Sequence, residues 1–504
     1  MVEQVVEVER KYDVPRDAVV PDLGGLSAGV GPVSQQALVA TYLDTDDLRL
    51  RSARTILRHR TGDAAAGWHL KVPAGSARLE LRVTGEPPPA PLPEELSALV
   101  RSRVRRRPLV PAAVLTTSRT VHPVVDGDGR VLVEVVDDLV EGRHVASGKV
   151  LEWREWEAEL VAGDEALLDA VGARLLAAGA VEAASSSKVG RVLDAGASTW
   201  WTAPATTVRR GVTAGDAVKA HVAEQVAELL DRDPLVRRDE PDAVHRMRVA
   251  TRRLRSALST FRPLLDPDRT GPLREDLRWL AGVLGQPRDA EVMHARLRAM
   301  VDEQPSELVL GPVVQRIDDV LLGRYRAAHA KAVAELDSDR CLALYDALEE
   351  LVADRLTGEL ADRPAADVLP VLVRRDDRRL RRALAAARRI APGHGQDEAL
   401  HEARKSAKRL RYSCEAVAPV VGRRALRLAK AATELQEVLG EHQDSVLTRE
   451  ELRALGAASS RAGHNGFTFG RLHGIEQERA RTSTTQWHEA GAALSRPKLR
   501  RWLA

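Results

Sequence analysis

The sequence predicts an α+β protein of two domains, an N-terminal antiparallel β domain and a C-terminal all-α domain. The chain has 504 residues. A single hydrophobic core does not usually support a chain of this length. Apolar and charged residues alternate with period two in the first part, whereas apolar residues recur every three or four positions in the rest. A small, polar, proline-containing stretch separates these patterns. We therefore predict domains at 1–195 and 213–504, joined by a linker at 196–212.

Short alternating segments predict the strands of the first domain. They lie at 5–12, 55–60, 68–72, 77–83, 131–136 and 150–160. The sequence Asp-Gly-Asp-Gly at 126–129 has the composition of a hairpin turn, because glycine and aspartate accept positive φ. The segments 94–106 and 164–178 lose the alternation and predict helices. An antiparallel sheet with a few helices is the expected result.

Several function classes are excluded by composition. No apolar run approaches the roughly 18 residues that a membrane span needs, and the first residues lack the pattern of a secretory signal. We therefore expect a cytoplasmic protein without a membrane partner. The two cysteines, Cys341 and Cys414, are far apart and lack metal-ligand spacing, so neither a disulfide framework nor a zinc site is expected.

Acids and bases share faces of the predicted strands. Glu7, Glu9 and Lys11 lie at spacing two, so their side chains project from one side of a strand. Three glutamates of segment 150–160 repeat this spacing, and other strands carry arginines and lysines in the same way. Carboxylates are the ligands that Mg²⁺ and Mn²⁺ prefer, while Arg and Lys neutralise phosphate oxygens. Alternating charge is usually found on a solvated strand face, and on the pattern alone this competing interpretation is favoured.

The order of these residues resembles a known family. Residues 7–11, Glu-Val-Glu-Arg-Lys, resemble the E-x-E-x-K motif that opens CYTH domains, also called triphosphate tunnel metalloenzymes. Further motif residues follow in the family's order across about residues 1–195: Arg58 and Arg60, Lys71, Arg78 with Glu80, Arg119, Glu157 with Glu159, and Lys188 with Arg191. Arg82 departs from the pattern, because relatives can carry an acid there.

The resemblance implies a closed antiparallel tunnel and an inorganic triphosphatase, which hydrolyses triphosphate to diphosphate and phosphate. It assigns Mg²⁺ or Mn²⁺ to Glu7, Glu9, Glu157 and Glu159, and the substrate to Arg58, Arg60, Arg78, Arg119 and Lys188. The catalytic residues it implies are Glu7, Glu9, Lys11 and Lys71. The first domain has neither a Gly-rich phosphate loop nor a nucleophilic Ser, Cys or His constellation, so direct attack by water is the simpler expectation.

The second domain contains an internal repeat. The pattern H-x-x-R-x-x-x-[RK]-R-L-R occurs at 245–255 and again, without gaps, at 401–411. A Leu-Gly motif follows each copy after some thirty residues, at 280–289 and 435–444. A duplicated helical unit, whose halves bury their apolar faces against each other, explains both repeats. On a helix each copy makes a basic stripe; the stripes comprise His245, Arg248, Arg252, Arg255, His401, Arg404, Lys408 and Arg411.

Such stripes predict a polyanionic partner. Nucleic acid is the usual candidate, but Tyr412 is the only aromatic residue beside the stripes that could stack on a base. Phosphate without bases fits better. The motifs resemble CHAD domains, a conserved-histidine α-helical family whose members bind inorganic polyphosphate, over about residues 210–500. The histidines would then contact phosphate, because neither has a second ligand at i+4 for a metal.

Three alternatives remain open at this stage. The protein could be a non-catalytic polyphosphate-binding or sensing protein, although a sensor needs the cations and not Glu7 and Glu9. The tunnel could act on another triphosphate, such as thiamine triphosphate, or belong with the adenylate cyclases among CYTH relatives. The arginine cluster between 374 and 389 could be a solvated helix face or a further polyanion-binding surface.

Overall fold

The computed structural model describes residues 3–27, 29–74, 77–185, 187–194, 211–391 and 393–503. The chain divides into two compact units, Met1–Thr202 and Ala203–Ala504, which are described one at a time. The predicted linker at 196–212 lies outside the described residues except for its last two positions. Among the described helices, none combines the length and apolarity that crossing a membrane requires.

The first unit consists mainly of β-strands. Its strands are β1 (Glu3–Glu7), β2 (Glu9–Val14), β3 (Gly29–Val30), β4 (Ser34–Asp44), β5 (Ile56–Thr61), β6 (Gly67–Ala74), β7 (Ala77–Val83), β8 (Val110–Val125), β9 (Val131–His144), β10 (Val150–Leu160) and β11 (Val181–Glu182). Its helices are α1 (Arg49–Ser52), α2 (Glu94–Val104), α3 (Glu165–Ala177) and α4 (Lys188–Asp194).

The sheet of this unit closes on itself. Its order is β1-β7-β6-β5-β4-β8-β9-β10-β2-β11, with β3 against β8, and the paired strands are antiparallel. Strands β1 and β2 are consecutive and separated only by Val8. Because β1 pairs with β7 while β2 pairs with β10, the two sides of the sheet meet along this one segment. The predicted antiparallel β domain is confirmed.

Apolar side chains cover two parts of the outside of this closed sheet. Helix α2 packs Leu96 and Val100 against Trp68 and Leu81, and helix α3 packs its apolar side against the cluster around Trp156. Asp164 begins α3 by accepting a hydrogen bond from Leu167 N at 2.8 Å. Since successive strand residues point to opposite faces, burying the apolar set under the helices turns the alternating charged set inward.

The strand predictions were incomplete. Segment 5–12 is interrupted at Val8, and the segment at 131–136 continues to His144 as β9. Strands β4 and β8 were missed altogether. The predicted hairpin turn is present, because Asp126 Oδ1 accepts hydrogen bonds from the backbone N–H groups of Asp128 and Arg130.

The second unit is all-helical in its described residues, as predicted. Its α-helices are α5 (Ala214–Arg237), α6 (Ala243–Thr260), α7 (Pro267–Val283), α8 (Gly285–Asp302), α9 (Val313–Leu336), α10 (Asp339–Ala353), α11 (Ala365–Ala387), α12 (His394–Val421), α13 (Arg423–Arg461), α14 (Phe467–Leu494) and α15 (Pro497–Arg500).

The repeated motifs occupy related positions in this unit. Helices α6 and α12 carry the two histidine-headed stripes, and Arg253 Nη2 of α6 lies 3.0 Å from Glu415 Oε2 of α12. The first Leu-Gly motif spans the junction of α7 and α8, whereas the second lies within the continuous helix α13. The duplication is therefore visible in the fold, with one helix of the second half replacing two of the first.

Candidate functional site

A cavity of about 420 Å³ lies inside the closed sheet, and its opposite walls carry opposite charge. The cationic wall comprises Arg58 and Arg60 of β5, Lys71 of β6 and Arg82 of β7. The acidic wall comprises Glu9 of β2, Glu134 of β9, and Glu157 and Glu159 of β10. The strand order puts β5–β7 across the closed sheet from β9, β10 and β2. A polyanion and a cation can therefore both be held in one space.

The buried carboxylate of Glu80 organises the cationic wall. Its oxygens lie 2.5 Å from Arg82 Nη2, 3.4 Å from Arg58 Nη2 and 3.6 Å from Lys71 Nζ. Burial acts to raise the pKa of Glu80, but a hydrogen bond from His69 and the charges of Lys71 and Arg58 outweigh it and hold that pKa well below its ordinary value. One anion thus fixes three cations, and the wall keeps an excess of positive charge.

Arg60 adds to this excess. It pairs with Asp63 at 2.7 Å, yet burial and the neighbouring charge of Arg58 lower the pKa of its guanidinium to about 10. Two guanidinium groups are therefore held near each other in a partly desolvated site. An incoming phosphate oxygen would relieve the repulsion between them.

Cations also reach into the acidic wall. Lys188, at the first residue of α4, places Nζ 2.9 Å from Asp138, 2.8 Å from Glu155 and 2.7 Å from Glu157. Burial acts to lower the pKa of Lys188, but these carboxylates raise it well above its ordinary value. Arg119 donates two hydrogen bonds to Asp138, at 2.8 and 2.7 Å, and a third to Glu157 at 3.2 Å.

Glu157 has a third cationic partner in Lys11. The Lys11 ammonium contacts the Glu157 carboxylate and lies 3.0 Å from Glu9 Oε2. Burial acts to lower the pKa of Lys11, but the charge of Glu157 makes the net shift upward. Lys11 therefore stays charged between the carboxylates of Glu9 and Glu157.

The acidic wall offers oxygen donors of the kind that Mg²⁺ and Mn²⁺ bind. Within the described residues, Asp138, Glu155 and Glu157 are the group whose carboxylate oxygens come within 4.8 Å of one another. Lys188 already contacts all three and neutralises much of their charge.

A second row of carboxylates lies at the cavity itself. Glu159 is opposite Glu9 on one side and opposite Glu134 on the other, across three adjacent strands. All three line the cavity, and directly opposed residues bring their Cβ atoms within about 5 Å. The donor chemistry of Glu9, Glu134 and Glu159 therefore suits a divalent metal at the cavity, whereas Asp138, Glu155 and Glu157 are already paired with Lys188.

The structure brings together most of the residues that the sequence nominated for this site. The cavity is lined by Glu9, Lys11, Arg58, Arg60, Lys71, Arg119, Glu157, Glu159 and Lys188. The side chains of Glu7 and Arg78 lie outside the described residues, although their backbones pair with each other between β1 and β7. Arg82, which departs from the family pattern, also lines the cavity.

Sequence reasoning missed four contributors: Tyr42, Asp63, Glu134 and Asp138. Tyr42 belongs to the missed strand β4, and its hydroxyl accepts a hydrogen bond from Arg58. For Asp138 a signal existed, because two adjacent aspartates in a strand must send one side chain to each face.

The helical unit contains a larger cavity of about 1320 Å³ between the two repeated helices. Seven of the eight predicted polyphosphate contacts line it: His245, Arg248, Arg252, His401, Arg404, Lys408 and Arg411. The eighth, Arg255, lines an adjoining cavity of about 510 Å³. Arg252, Lys408 and Tyr412 border both cavities, so the two spaces share one wall.

The Leu-Gly motifs support the arginines of the histidine-headed motifs. A Cβ at Gly285 would lie 3.4 Å from Arg248 Nη2, and one at Gly440 would lie 3.1 Å from Arg404 Nη2. Four residues later in each motif, Asp289 lies 3.2 Å from Arg248 and Asp444 lies 3.8 Å from Arg404. The glycine leaves room for the guanidinium and the aspartate orients it, which explains why the motifs recur together.

Positive charge dominates the larger cavity. Nine arginines and lysines line it against four acidic residues. Burial, together with the charges of Arg252, Arg404 and Arg248, lowers the pKa of Lys408 to about 6. The Nε atoms of Arg248 and Arg404 are buried without a hydrogen-bond partner among the described residues. This cavity has the charge to hold a multivalent anion.

Comparison with known proteins assigns both units to families. Residues 6–192 match the CYTH domain and residues 220–453 match the CHAD domain. This chain is a CYTH–CHAD protein. It is similar to the uncharacterised protein Rv2226 of Mycobacterium tuberculosis strain H37Rv, with 37% identity over 96% of this chain and 95% of that protein.

Two solved structures resemble parts of this CYTH–CHAD protein. PptA from Streptomyces chartreusis is 22% identical, covers 56% of this chain and 99% of its own, and superposes with a TM-score of 0.47. A putative adenylate cyclase from Bacillus halodurans is 18% identical, covers 37% of this chain and 97% of its own, and has a TM-score of 0.24. CYTH domains are metal-dependent and bind triphosphate substrates, and CHAD domains are linked to polyphosphate.

Proposed function

We propose that this CYTH–CHAD protein is an inorganic triphosphatase, which uses Mg²⁺ or Mn²⁺ to cleave triphosphate to diphosphate and phosphate. The observation that carries this proposal is the pair of oppositely charged walls around one cavity. A triphosphate needs cations for its oxygens, and a divalent metal needs carboxylates, and the two sets lie on facing strands.

The cations would bind the substrate and stabilise charge in the transition state. Arg58, Arg60 and Lys71 would hold phosphate oxygens from the cationic wall, and Arg119 and Lys188 would do so from the other side. Arg78 would join them from β7. Because Glu80 fixes Arg58, Lys71 and Arg82 before the substrate arrives, little reorganisation is needed when charge builds up on the transferred phosphoryl group.

Glu7, Glu9 and Glu159 would hold the metal, with Glu157 joining if it exchanges its contacts with Lys11 and Lys188. When bound, the metal would neutralise phosphate charge and lower the pKa of a water molecule. Lys11 would contribute a charged N–H donor to the terminal phosphate from its position beside Glu9.

The CHAD domain would bind inorganic polyphosphate in its larger cavity and thereby recruit the protein to polyphosphate or supply chain ends to the tunnel. The supporting observation is the low pKa of Lys408 among three arginines. Repulsion from these arginines makes the charged form of Lys408 unfavourable in the free protein. A bound polyanion would stabilise that charged form.

A non-catalytic sensor of triphosphate is the alternative, and the position of Lys188 among three carboxylates is the observation that favours it. Lys188 could replace a metal in a protein that only binds. Glu9 and Glu159 oppose this reading, because a binding protein gains nothing from carboxylates aimed at an anion site. Thiamine triphosphatase and cyclase activities require a further pocket beside the triphosphate. The residues that line this cavity give no specific support for such a pocket.

Substitution of the proposed metal ligands tests the function. In the full-length protein, Glu9→Gln and Glu159→Gln should each lower phosphate release from triphosphate on the order of a hundredfold. Glu141→Gln is the matched control, because Glu141 is an exposed residue of β9 outside the cavity. Full activity in both tunnel variants would contradict the proposal.

A further inference from the structure

Helix α11 presents an exposed row of arginines. Arg375, Arg378, Arg379 and Arg382 are exposed, and helical geometry puts them within an arc of roughly 100°. A basic row on a helix is often only a solvated face. Two observations distinguish this one.

The first observation is that the acids of α11 point away from the row. Asp376 is buried and lies 2.6 Å from Arg409 Nε. Asp377 is buried and pairs with Arg381 at 3.1 Å and with Arg500 at 2.8 Å. Both carboxylates thus form their ion pairs with cations outside the row, and within the row Arg379 is also attracted by the charges of Asp376 and Glu402.

The second observation is that one arginine of the row also lines the smaller CHAD cavity. Arg379 lines that cavity together with Arg252 and Lys408, which also border the larger one. No acidic residue is among the residues that line the smaller cavity. Basic residues therefore follow one another from the larger cavity, along the smaller one, to the surface of α11.

We infer that a polyphosphate chain too long for the two cavities leaves through the smaller one and lies along this row of α11. The inference rests on the proposed binding of polyphosphate by the CHAD domain. Helix α11 contains no aromatic residue, so the row offers charge for phosphates and no surface on which bases could stack. The row would make the protein prefer long chains to short ones.

The test compares long-chain polyphosphate with tetraphosphate, using the full-length protein in EDTA. The variant R375Q/R378Q/R382Q removes three exposed charges and keeps good helix formers. The matched control is R423Q/R424Q/R427Q, three exposed arginines at the start of α13 that line neither cavity. An unchanged helical circular-dichroism signal and an unchanged unfolding temperature of the helical unit in both variants show that its fold is intact.

We expect the α11 variant to bind long chains several-fold more weakly while binding tetraphosphate as the wild type does. Its slope of log affinity against log salt for long chains should fall by roughly two units, because each cation on a single-stranded polyanion contributes about 0.7. The α13 control should change neither quantity.

Three results would overturn the inference. They are equal losses for long and short chains, no loss in the α11 variant, and a loss confined to single-stranded RNA with polyphosphate binding unchanged. Wild-type protein that binds no long-chain polyphosphate would instead refute the proposed function of the CHAD domain, and the inference would fall with it.

Discussion

The ammonium nitrogen of Lys188 lies 2.7 Å from Glu157 Oε1, in the wall that supplies the tunnel's carboxylates. Burial acts to raise the pKa of Glu157, but Lys11, Lys188 and Arg119 hold it well below its ordinary value. The carboxylate therefore stays ionised inside the fold without a metal. Lys188 is thus part of the stability of the tunnel as well as of its proposed chemistry.

Removing this cation should destabilise the domain. Lys188→Met leaves three buried carboxylates with too little positive charge, and an uncompensated buried charge costs about 3–5 kcal/mol. Thermal and denaturant unfolding of the first domain should show the loss, whereas Lys149→Met, at an exposed lysine, should not. Equal unfolding midpoints for wild type and Lys188→Met would refute the structural role of this contact.

Gly440→Ala should weaken polyphosphate binding by the CHAD domain without lowering the stability of that domain. The added methyl group would lie 3.1 Å from Arg404 Nη2 and displace that guanidinium, while the helix itself gains about 1 kcal/mol from alanine. We expect weaker polyphosphate binding, measured by calorimetry, without a lower unfolding temperature. In Gly474→Ala the new methyl group meets open space within α14, so affinity should stay unchanged. Normal affinity in Gly440→Ala would contradict the supporting role of the Leu-Gly motif.

Polyphosphate binding should take up a proton at neutral pH. The pKa of Lys408 is about 6 in the free protein, so this side chain is mostly neutral at pH 7, and a bound polyanion raises its pKa. The affinity should therefore fall as the pH rises above 6, by up to tenfold per unit for one proton.

Comparison with Lys408→Met isolates this proton, because the titrations of the ligand, His245 and His401 are common to both proteins. The variant should show a shallower dependence of affinity on pH. Identical dependences in the two proteins would mean that Lys408 does not change its charge on binding.

Arg60 should contribute to transition-state binding of triphosphate. A hydrogen bond from a charged donor is worth about 1.5–3 kcal/mol, so Arg60→Gln should lower kcat/KM roughly 10- to 100-fold. Arg143→Gln, at an exposed arginine of β9, is the matched control. If the two variants keep equal kcat/KM, the cationic wall does not bind the substrate.

The sequence predicted which charged residues line the cavity better than it predicted the individual strands. Glu157, Glu159 and Lys11 were found because strand alternation puts charged residues on one face. Strand β8 was missed because Pro111, Thr116 and Thr117 interrupt its apolar pattern, and its pairing with β4 and β9 is a long-range property. Propensity gives little information where partner strands decide the structure.

The contacts within the site could not have been read from the sequence. That Lys188 lies among Asp138, Glu155 and Glu157 depends on how α4 meets the closed sheet. The support of Arg404 by Gly440 depends in the same way on the packing of α12 against α13. In both cases spacing identified the residues, and tertiary packing determined their partners.

Phosphate release from inorganic triphosphate by the full-length protein, with Mg²⁺, with Mn²⁺ and with EDTA, tests the central proposal most directly. We predict release of one phosphate per triphosphate with either metal, none in EDTA, and faster turnover than with ATP or thiamine triphosphate. Absence of release with both metals, or formation of cyclic AMP from ATP in its place, would contradict the proposed inorganic triphosphatase.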